Sequence, residues 1–307
     1  MFKKVFVPGG NGFLGQSIIK KLKEKNINYV SLSKRDGIDF CDFERTKALF
    51  KKEKFDIVIN CAALIGGIQF IQKHSGEIYY KNTIIATNLM EAARLGGVKI
   101  FINPISSCTY PGHLTEFKEN EWWDGIIHES VMAFGFARKM SWVQSWTYHK
   151  EYNFKTTNLI LSNMYGPGDY FDLVRSHALG ALIYKFVEAK EKNLPKVIVW
   201  GDGTPIREWL YVEDAADICV KALNMEPILG PVNIGIGKGI SILDLAKLIK
   251  DAVGYEGEIE LDPSKPNGAA CKIMNVEKME QIFKWSPHTD LKTGIKNTVK
   301  WYTLARK

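Results

Sequence analysis

The chain has 307 residues, of which 46% are hydrophobic and 24% are charged, a balance typical of a globular protein with one large or two modest domains. Five cysteines without paired spacing, no leader-like N-terminus and no apolar run of about 18 residues favour a reduced, cytoplasmic protein outside the membrane. We expect no metal centre, because the sequence has neither a Cys-x-x-Cys nor a His-x-x-x-His pair. The net charge of +7 comes from basic residues spread along the chain, which suits a phosphate-bearing small molecule rather than a nucleic acid.

The first chemical signal is a glycine-rich stretch, KKVFVPGGNGFLGQSIIKKLKEK, at residues 3–25. A β-branched run at residues 5–7 precedes the glycines, and Ile18, Ile19 and Leu22 follow at helical spacing, so the pattern predicts a strand, a tight turn and a helix. Glycine turns also occur as simple connections, but this context favours a dinucleotide whose pyrophosphate lies at the helix N-terminus. The predicted contacts are Gly9, Gly10, Asn11, Gly12, Phe13, Leu14 and Gly15.

The end of the second predicted strand, residues 28–32, indicates which dinucleotide is bound. Ser33, Lys34 and Arg35 follow this strand in place of a lone acidic residue. An acid here would hold the ribose 2′-hydroxyl of NAD, whereas a nearby arginine accommodates the 2′-phosphate of NADP. We therefore predict NADP, with NAD as the alternative, and expect Asp39 and Phe40 to line the adenine.

Later strands and helices alternate, which predicts an α/β fold with a doubly wound parallel sheet. Strands at residues 56–60 and 99–103 lead into Ala62 and Ala63 and into Ser106, Ser107 and Cys108 respectively, and helices are predicted at residues 83–95 and 137–152. Ligands of such sheets lie at the carboxyl ends of the strands. Cys108 is then expected to face the cofactor, although free cysteine is more often a buried filler of the core.

The sequence resembles the extended short-chain dehydrogenase/reductase family of nucleotide-sugar enzymes. Counterparts occur in order almost from end to end: GGNGFLG, LSKRDGIDF, AALIGGI, SSCTYP, SNMYGPGDYFD, SHALGALIYKF, VWGDGTPIREWLYVEDAA, NIGIG and SKPNGAACK. The nearest resemblance is to members that epimerise and reduce a GDP-linked 4-keto-6-deoxy sugar. It implies a Rossmann domain for NADP and a smaller domain, formed largely by the C-terminal half, for the nucleotide sugar.

The resemblance also implies roles for individual residues. Cys108 and His177 match a cysteine and a histidine that move protons on opposite faces of a 4-keto sugar. Ser106 is expected to polarise the carbonyl, although its hydroxyl is a poor acid. A surface role is the alternative for His177, as a solvated charge is for Lys185 and Lys272. The residues implied in binding the nucleotide sugar are Ser107, Asn163, Lys185, Trp200, Arg207 and Lys272.

The chain departs from the family at its catalytic helix. The family carries Tyr-x-x-x-Lys, in which the phenol transfers a proton and the lysine holds the nicotinamide ribose, but here Phe134 and Arg138 occupy those positions. Phe134 is either natural or an engineered replacement of tyrosine. Two further hypotheses therefore stay open beside an epimerase/reductase: an epimerase or isomerase without net hydride transfer, and a non-catalytic dinucleotide-binding sensor.

The predicted domains are residues 1–162 for NADP, with residues 206–225 returning to this domain, and mostly residues 163–307 for the nucleotide sugar. The resemblance implies a homodimer formed through the two long helices, where Trp142, Gln144 and Trp146 serve either that contact or the core. The pair Trp122 and Trp123 is expected either to cover the sugar or to pack over the sheet.

Overall fold

Strands and helices alternate along the first half of the chain. The structure, a computed structural model, describes residues 4–265 and 267–306. Within them the strands are β1 (Val5–Pro8), β2 (Tyr29–Leu32), β3 (Ile57–Ile59), β4 (Ile100–Ser106), β5 (Glu116–Phe117), β6 (Thr156–Leu161), β7 (Met164–Tyr165), β8 (Lys196–Trp200), β9 (Ile206–Arg207), β10 (Leu210–Tyr211), β11 (Pro231–Ile234), β12 (Ile240–Ser241), β13 (Glu258–Asp262) and β14 (Cys271–Met274). The helices are α1 (Phe13–Glu24), α2 (Phe43–Glu53), α3 (Ile68–Lys73), α4 (Ser75–Leu95), α5 (Met132–Tyr152), α6 (Ala178–Glu191), α7 (Val212–Lys221), α8 (Ile242–Val253), α9 (Glu277–Phe283) and α10 (Leu291–Ala305).

Six parallel strands form the central sheet, in the order β11-β6-β4-β3-β1-β2. The strand order reverses beside β1, which pairs with β2 on one side and β3 on the other. Ligands of doubly wound sheets bind at this reversal, outside the carboxyl ends of the strands. The predicted parallel α/β sheet is confirmed.

Helices cover both faces of this sheet and exclude water from it. On one face α1, α7 and α9 pack against side chains of β1, β3, β4, β6 and β11 in a single aliphatic cluster. On the other face, α2 and α4 pack against an aromatic cluster in which the Phe6 ring stacks on the Phe55 ring at 4.3 Å between centres. Because both faces are covered, nearly every position of β1, β3, β4, β6 and β11 is buried, without alternation between buried and exposed side chains.

A second, smaller lobe surrounds α6, α8 and α10. Its core joins these helices to the parallel pair β8–β13, in register from Lys196 and Glu258 to Trp200 and Asp262. Between this lobe and the central sheet lies a four-stranded sheet in the order β12-β9-β14-β5. Residues from the two halves of the chain therefore meet above the carboxyl ends of β1, β3, β4 and β6.

Several elements differ in extent from the predicted ones. α4 begins at Ser75 rather than at residue 83, and α5 begins at Met132 rather than at residue 137. The central sheet also contains β11, which the sequence pattern did not place there. In the described part of the chain, no helix is both long and apolar enough to span a bilayer.

Candidate active site

The glycine loop between β1 and α1 forms one end of the cleft. Gly9 has a φ of +77°, and a Cβ atom there would lie 2.7 Å from the backbone nitrogen of Ala62 at the end of β3. At Gly12 a Cβ would contact only the Gly9 carbonyl oxygen, at 3.1 Å, so the other side of Gly12 is open. Since α1 starts after Gly12 without a side-chain cap, its N-terminus suits the pyrophosphate of a dinucleotide. These features fit the predicted cofactor loop, residues 9–15.

Polar side chains at the end of β2 form a compact hydrogen-bonded network. Ser33 donates to Oδ2 of Asp36 from its backbone N–H and from its hydroxyl, each at 2.8 Å. Asn11, from the glycine loop, donates its Nδ2 to the same carboxylate oxygen at 3.1 Å and to the Ser33 hydroxyl at 2.9 Å. Lys34 and Arg35 are exposed beside this network, where the sequence predicts the ribose 2′-phosphate.

The two residues predicted to line the adenine behave differently. Asp39 accepts a hydrogen bond from the backbone N–H of Cys41 at 3.0 Å, which lowers the pKa of its carboxyl. Its other carboxylate oxygen lies 3.7 Å from the Lys34 ammonium. Phe40 is only 5% exposed and packs edge-on against Phe6 in the core. Its ring belongs to the core beside the sheet, and contact of Phe40 with the adenine stays a prediction.

Cys108 lies in a short turn at the carboxyl end of β4. Ser106, the last residue of β4, accepts from the backbone N–H of Cys108 through its hydroxyl at 3.2 Å, and its carbonyl accepts from the Thr109 hydroxyl at 2.7 Å. Thr109 Oγ1 in turn accepts from the indole N–H of Trp122 at 2.8 Å. Ser106, Ser107 and Cys108 are partly exposed, so Cys108 is not a fully buried core filler.

The N-terminal part of α5 packs directly on this turn. A Cβ atom at Gly135 would lie 2.7 Å from the carbonyl oxygen of Cys108. The neighbouring Phe134 ring is 6% exposed and belongs to an apolar cluster that includes Ile71 and Ile78 and touches Cys108. At the position where the resemblance predicts a phenol, the structure therefore has a buried hydrocarbon ring in the cluster that Cys108 joins.

Arg138, one turn further along α5, is a buried cation. It is 4% exposed, its Nη2 donates to the Pro104 carbonyl, and its Nη1 has no hydrogen-bond partner within the described residues. Burial lowers the pKa of this guanidinium to about 10, and burial also raises the pKa of the nearby Cys61 thiol to about 12. An unpartnered buried donor at this position fits a hydroxyl of the nicotinamide ribose.

His177 immediately precedes α6 and makes no side-chain hydrogen bond to that helix. His177 is exposed to solvent, and partial desolvation by nearby protein atoms lowers the pKa of its imidazole. The backbone just before it is held by a 2.7 Å hydrogen bond from Gly67 N–H to the Arg175 carbonyl. Cys108 touches the apolar cluster of this same region. The backbone just before His177 and the cluster that Cys108 joins therefore both contact the segment of residues 64–71.

Two predicted phosphate-binding cations lie side by side near Cys108. Lys272 of β14 is in register with Arg207 of β9. Burial lowers the pKa of the Lys272 ammonium, the Cys108 thiol acts electrostatically in the opposite direction, and the Arg207 guanidinium lowers this pKa further. The four-stranded sheet therefore places the Lys272 ammonium near the Cys108 thiol. The sequence alone did not indicate this proximity.

The remaining predicted substrate residues lie along the smaller lobe. Trp200 is 48% exposed, with the ammonium groups of Lys185 and Lys265 at 5.3 and 5.9 Å from its ring centre. Its ring is therefore not a core filler. Lys185 Nζ also donates to the Ile198 carbonyl at 2.8 Å, and Asn163 Nδ2 donates to the Glu208 carbonyl at 3.2 Å.

The paired tryptophans of the 122–123 segment have separate environments. Trp122 is fully buried, whereas Trp123 is 47% exposed. Lys139 lies beneath both: its Nζ donates to the Trp122 carbonyl and lies 4.3 Å from the Trp123 ring centre. Burial lowers the pKa of this lysine to about 8. Trp122 thus packs over the sheet, and Trp142 also packs inward, since its N–H donates to the Leu229 carbonyl.

Two buried carboxylates near the cleft were not predicted. Glu208 accepts from the backbone N–H groups of Ile236, Gly237 and Met274, with distances of 3.0 and 2.8 Å to the last two. Burial raises the pKa of Glu208, and burial raises the pKa of Asp169 to about 7. Each acid stands among apolar or glycine residues in a segment already noted, REWL and GPGDYF, and that context was the available signal.

Known proteins resemble this chain along almost its whole length. Residues 5–235 match the model of the NAD dependent epimerase/dehydratase family. GDP-L-fucose synthase 1 of Arabidopsis thaliana is 33% identical over 97% of this chain and 93% of its own length. GDP-L-fucose synthase of Escherichia coli K12 is 31% identical over 98% of this chain and 96% of its own. The crystal structure of a GDP-L-fucose synthetase from Naegleria fowleri bound to NADP superposes with a TM-score of 0.92 at 25% identity, covering 99% and 93% of the two chains.

Proposed function

Because this chain belongs to the NAD dependent epimerase/dehydratase family, we propose that it is an NADP-dependent epimerase/reductase of a GDP-linked 4-keto sugar. The relatives named GDP-L-fucose synthase support the GDP-sugar substrate, and the neighbour with bound NADP supports the cofactor. One observation carries the proposal. The partly exposed Cys108 thiol stands at the carboxyl end of β4, held by Ser106 and close to the cation of Lys272.

The chain's own residues suit the cofactor at three points along the cleft. The glycine loop, residues 9–15, would hold the pyrophosphate, and Lys34 and Arg35 would contact the ribose 2′-phosphate. The unpartnered Nη1 of Arg138 would donate to the nicotinamide ribose. When bound, NADP(H) supplies or accepts the hydride of the redox step.

The cytoplasmic location of the protein remains a prediction.

Epimerisation would use Cys108 and His177 as a proton-transfer pair. A ketone at carbon 4 acidifies the hydrogens on the adjacent carbons, and inversion requires removal from one face with return to the other. The lowered pKa of His177 keeps its imidazole neutral at pH 7, so the ring can accept a proton. The partly exposed Cys108 thiol can return a proton to the other face.

An epimerase without net hydride transfer is the second candidate function. Reduction leaves negative charge on the sugar oxygen, and the family's phenol quenches it with a proton. Phe134 has no such proton and lies among apolar side chains, while Arg138 stays charged near neutral pH. Ser106 remains able to polarise the carbonyl. We therefore expect proton exchange beside the ketone to survive and reduction to be slow.

The test is solvent deuterium exchange into a GDP-4-keto-6-deoxy sugar, followed by NMR. We expect exchange on the carbons flanking the ketone, and a loss on the order of 10² to 10⁴-fold in Cys108→Ser and in His177→Asn, the span for one positioned acid or base. Cys41→Ser and His288→Asn, which change the same residue types away from Cys108 and His177, should exchange like the parent. Undiminished exchange in both site variants would refute the proposed roles.

We also propose that the chain forms a homodimer through α4 and α5. These helices already pack together, with Gln144 Nε2 donating to the Thr87 carbonyl at 3.1 Å. Their outer faces carry partly exposed apolar side chains, namely Ile84 on α4 and Phe136, Met140 and Val143 on α5. A two-fold axis along this surface would bury them in a four-helix bundle.

A further inference from the structure

The hydrogen-bond donors at the end of β2 are already occupied by an internal anion. Ser33 N–H, Ser33 Oγ and Asn11 Nδ2 all point to a single oxygen, Oδ2 of Asp36. A ribose 2′-phosphate at the end of β2 needs donors of this kind, because its oxygens accept hydrogen bonds and carry negative charge. The Asp36 carboxylate therefore accepts the hydrogen bonds that a 2′-phosphate would need at this position.

Asp36 is one of four charged residues that determine the net charge at the end of β2. Lys34 and Arg35 bring two positive charges to the end of β2, but Asp36 and Asp39 bring two negative ones, and Asp39 lies 3.7 Å from the Lys34 ammonium. These four charges sum to zero, and the neighbouring ion pair of Lys81 with Glu77 adds none, although a 2′-phosphate benefits from net positive charge. All four charged side chains lie close enough together for removal of one carboxylate to change the local potential at physiological ionic strength.

We propose that Asp36 is a specificity-determining residue that limits the preference of this site for NADP over NAD. It does so by competing with the 2′-phosphate for the donors of Ser33 and Asn11 and by repelling its charge. NAD carries a hydroxyl at this position, and a hydroxyl can donate to the carboxylate, so Asp36 favours NAD relative to NADP. The inference rests on the proposed dinucleotide site and concerns only how that site distinguishes NADP from NAD.

The experiment measures dissociation constants of NADP⁺ and NAD⁺ by isothermal titration calorimetry, without sugar substrate. Asp36→Asn keeps the shape of the side chain and one oxygen that can accept from Ser33 N–H. We expect it to raise the ratio of NADP⁺ to NAD⁺ affinity on the order of tenfold, as expected for removing one like charge beside a phosphate. The gain should shrink as salt is raised.

Asp42→Asn is the matched control. Asp42 is an exposed carboxylate that caps α2 by accepting from Arg45 N–H at 3.0 Å, and asparagine caps a helix equally well. The control should leave the affinity ratio unchanged. Thermal unfolding of Asp36→Asn, compared with the parent, shows whether the loop remains folded, and Asp36→Ser provides a second neutral variant with the same expected direction.

The outcomes separate this inference from the proposed function. An unchanged or lowered ratio in both neutral Asp36 variants, with both dinucleotides still bound by the parent, overturns the role of Asp36 alone. A parent protein that binds neither dinucleotide overturns the cofactor site and this inference together. A raised ratio in the Asp36 variants and not in Asp42→Asn supports the inference.

Discussion

At the scale of single residues, the site combines groups suited to proton transfer with the loss of one proton donor. The backbone just before His177 and the cluster joined by Cys108 both contact the segment of residues 64–71, and the Lys272 ammonium interacts electrostatically with the Cys108 thiol. Phe134, by contrast, offers only an apolar ring to the same cleft. In the proposed mechanism, different residues exchange protons at carbon and protonate the sugar oxygen, and only the proton donor to the oxygen is missing.

Phe134→Tyr should recover reduction of the 4-keto sugar. A hydroxyl on this ring would supply the general acid for the alkoxide, which is worth about 10² or more in rate, and the guanidinium of Arg138 on the next turn would favour the phenolate. The measurement is NADPH oxidation with a GDP-4-keto-6-deoxy sugar. Phe136→Tyr, a partly exposed phenylalanine on the same helix, should give no gain. Fast NADPH oxidation by the unchanged chain, insensitive to Phe134→Tyr, would show that another residue donates the proton.

At the scale of elements, α5 connects the predicted catalytic positions to the turn that holds Cys108. Its start at Met132 includes Gly135, a residue that normally disfavours helix interiors. The close approach of the Cys108 carbonyl explains why glycine stands there. Helix propensity disfavours glycine at position 135, whereas packing against the Cys108 carbonyl requires it. The helix therefore begins earlier than the sequence pattern predicts.

Gly135→Ala should destabilise the protein, against the usual trend. In an open helix position the change from glycine to alanine stabilises by about 0.4 to 1 kcal/mol, but here the new Cβ would lie 2.7 Å from the Cys108 carbonyl oxygen. Urea unfolding should show a loss of stability, and deuterium exchange should fall because the thiol is displaced. Gly76→Ala, in α4 with no atom near its added Cβ, should instead be neutral or stabilising. Equal behaviour of the two variants would contradict the packing argument.

The sequence predicted secondary structure best where the signals lie within a short stretch of the chain. Residues 3–25 predicted β1, the glycine loop and α1, because apolar spacing and glycine positions act over short distances. The carboxylates of Asp36 and Glu208 were missed because their meaning depends on backbone N–H groups, and for Glu208 those lie in segments far along the chain. The burial of the Phe40 ring was also not predicted, because a sequence does not show which face of the sheet a ring will reach.

At the scale of the whole molecule, the cleft depends on contacts between the two halves of the chain. Glu208 joins the turn at residues 236–237 to β14, and its backbone carbonyl also accepts from Asn163 after β6. Arg207 and Lys272 lie next to these contacts on paired strands. β11 extends the central sheet from the second half of the chain, so the central sheet and the smaller lobe are built from interleaved segments.

The assembly in solution tests the proposed use of α4 and α5. Exposed apolar faces of this kind usually mark interaction sites, and a two-fold contact would pair the Met140 and Val143 region with the same region of a second copy. Sedimentation velocity should give a species of twice the mass of one chain at micromolar concentration. Met140→Glu should shift it to the monomer, because two carboxylates would be brought together without water. Leu304→Glu, at an exposed apolar position on α10, should leave the dimer intact. A monomeric parent protein, or a dimer unaffected by Met140→Glu, would exclude this surface as the interface.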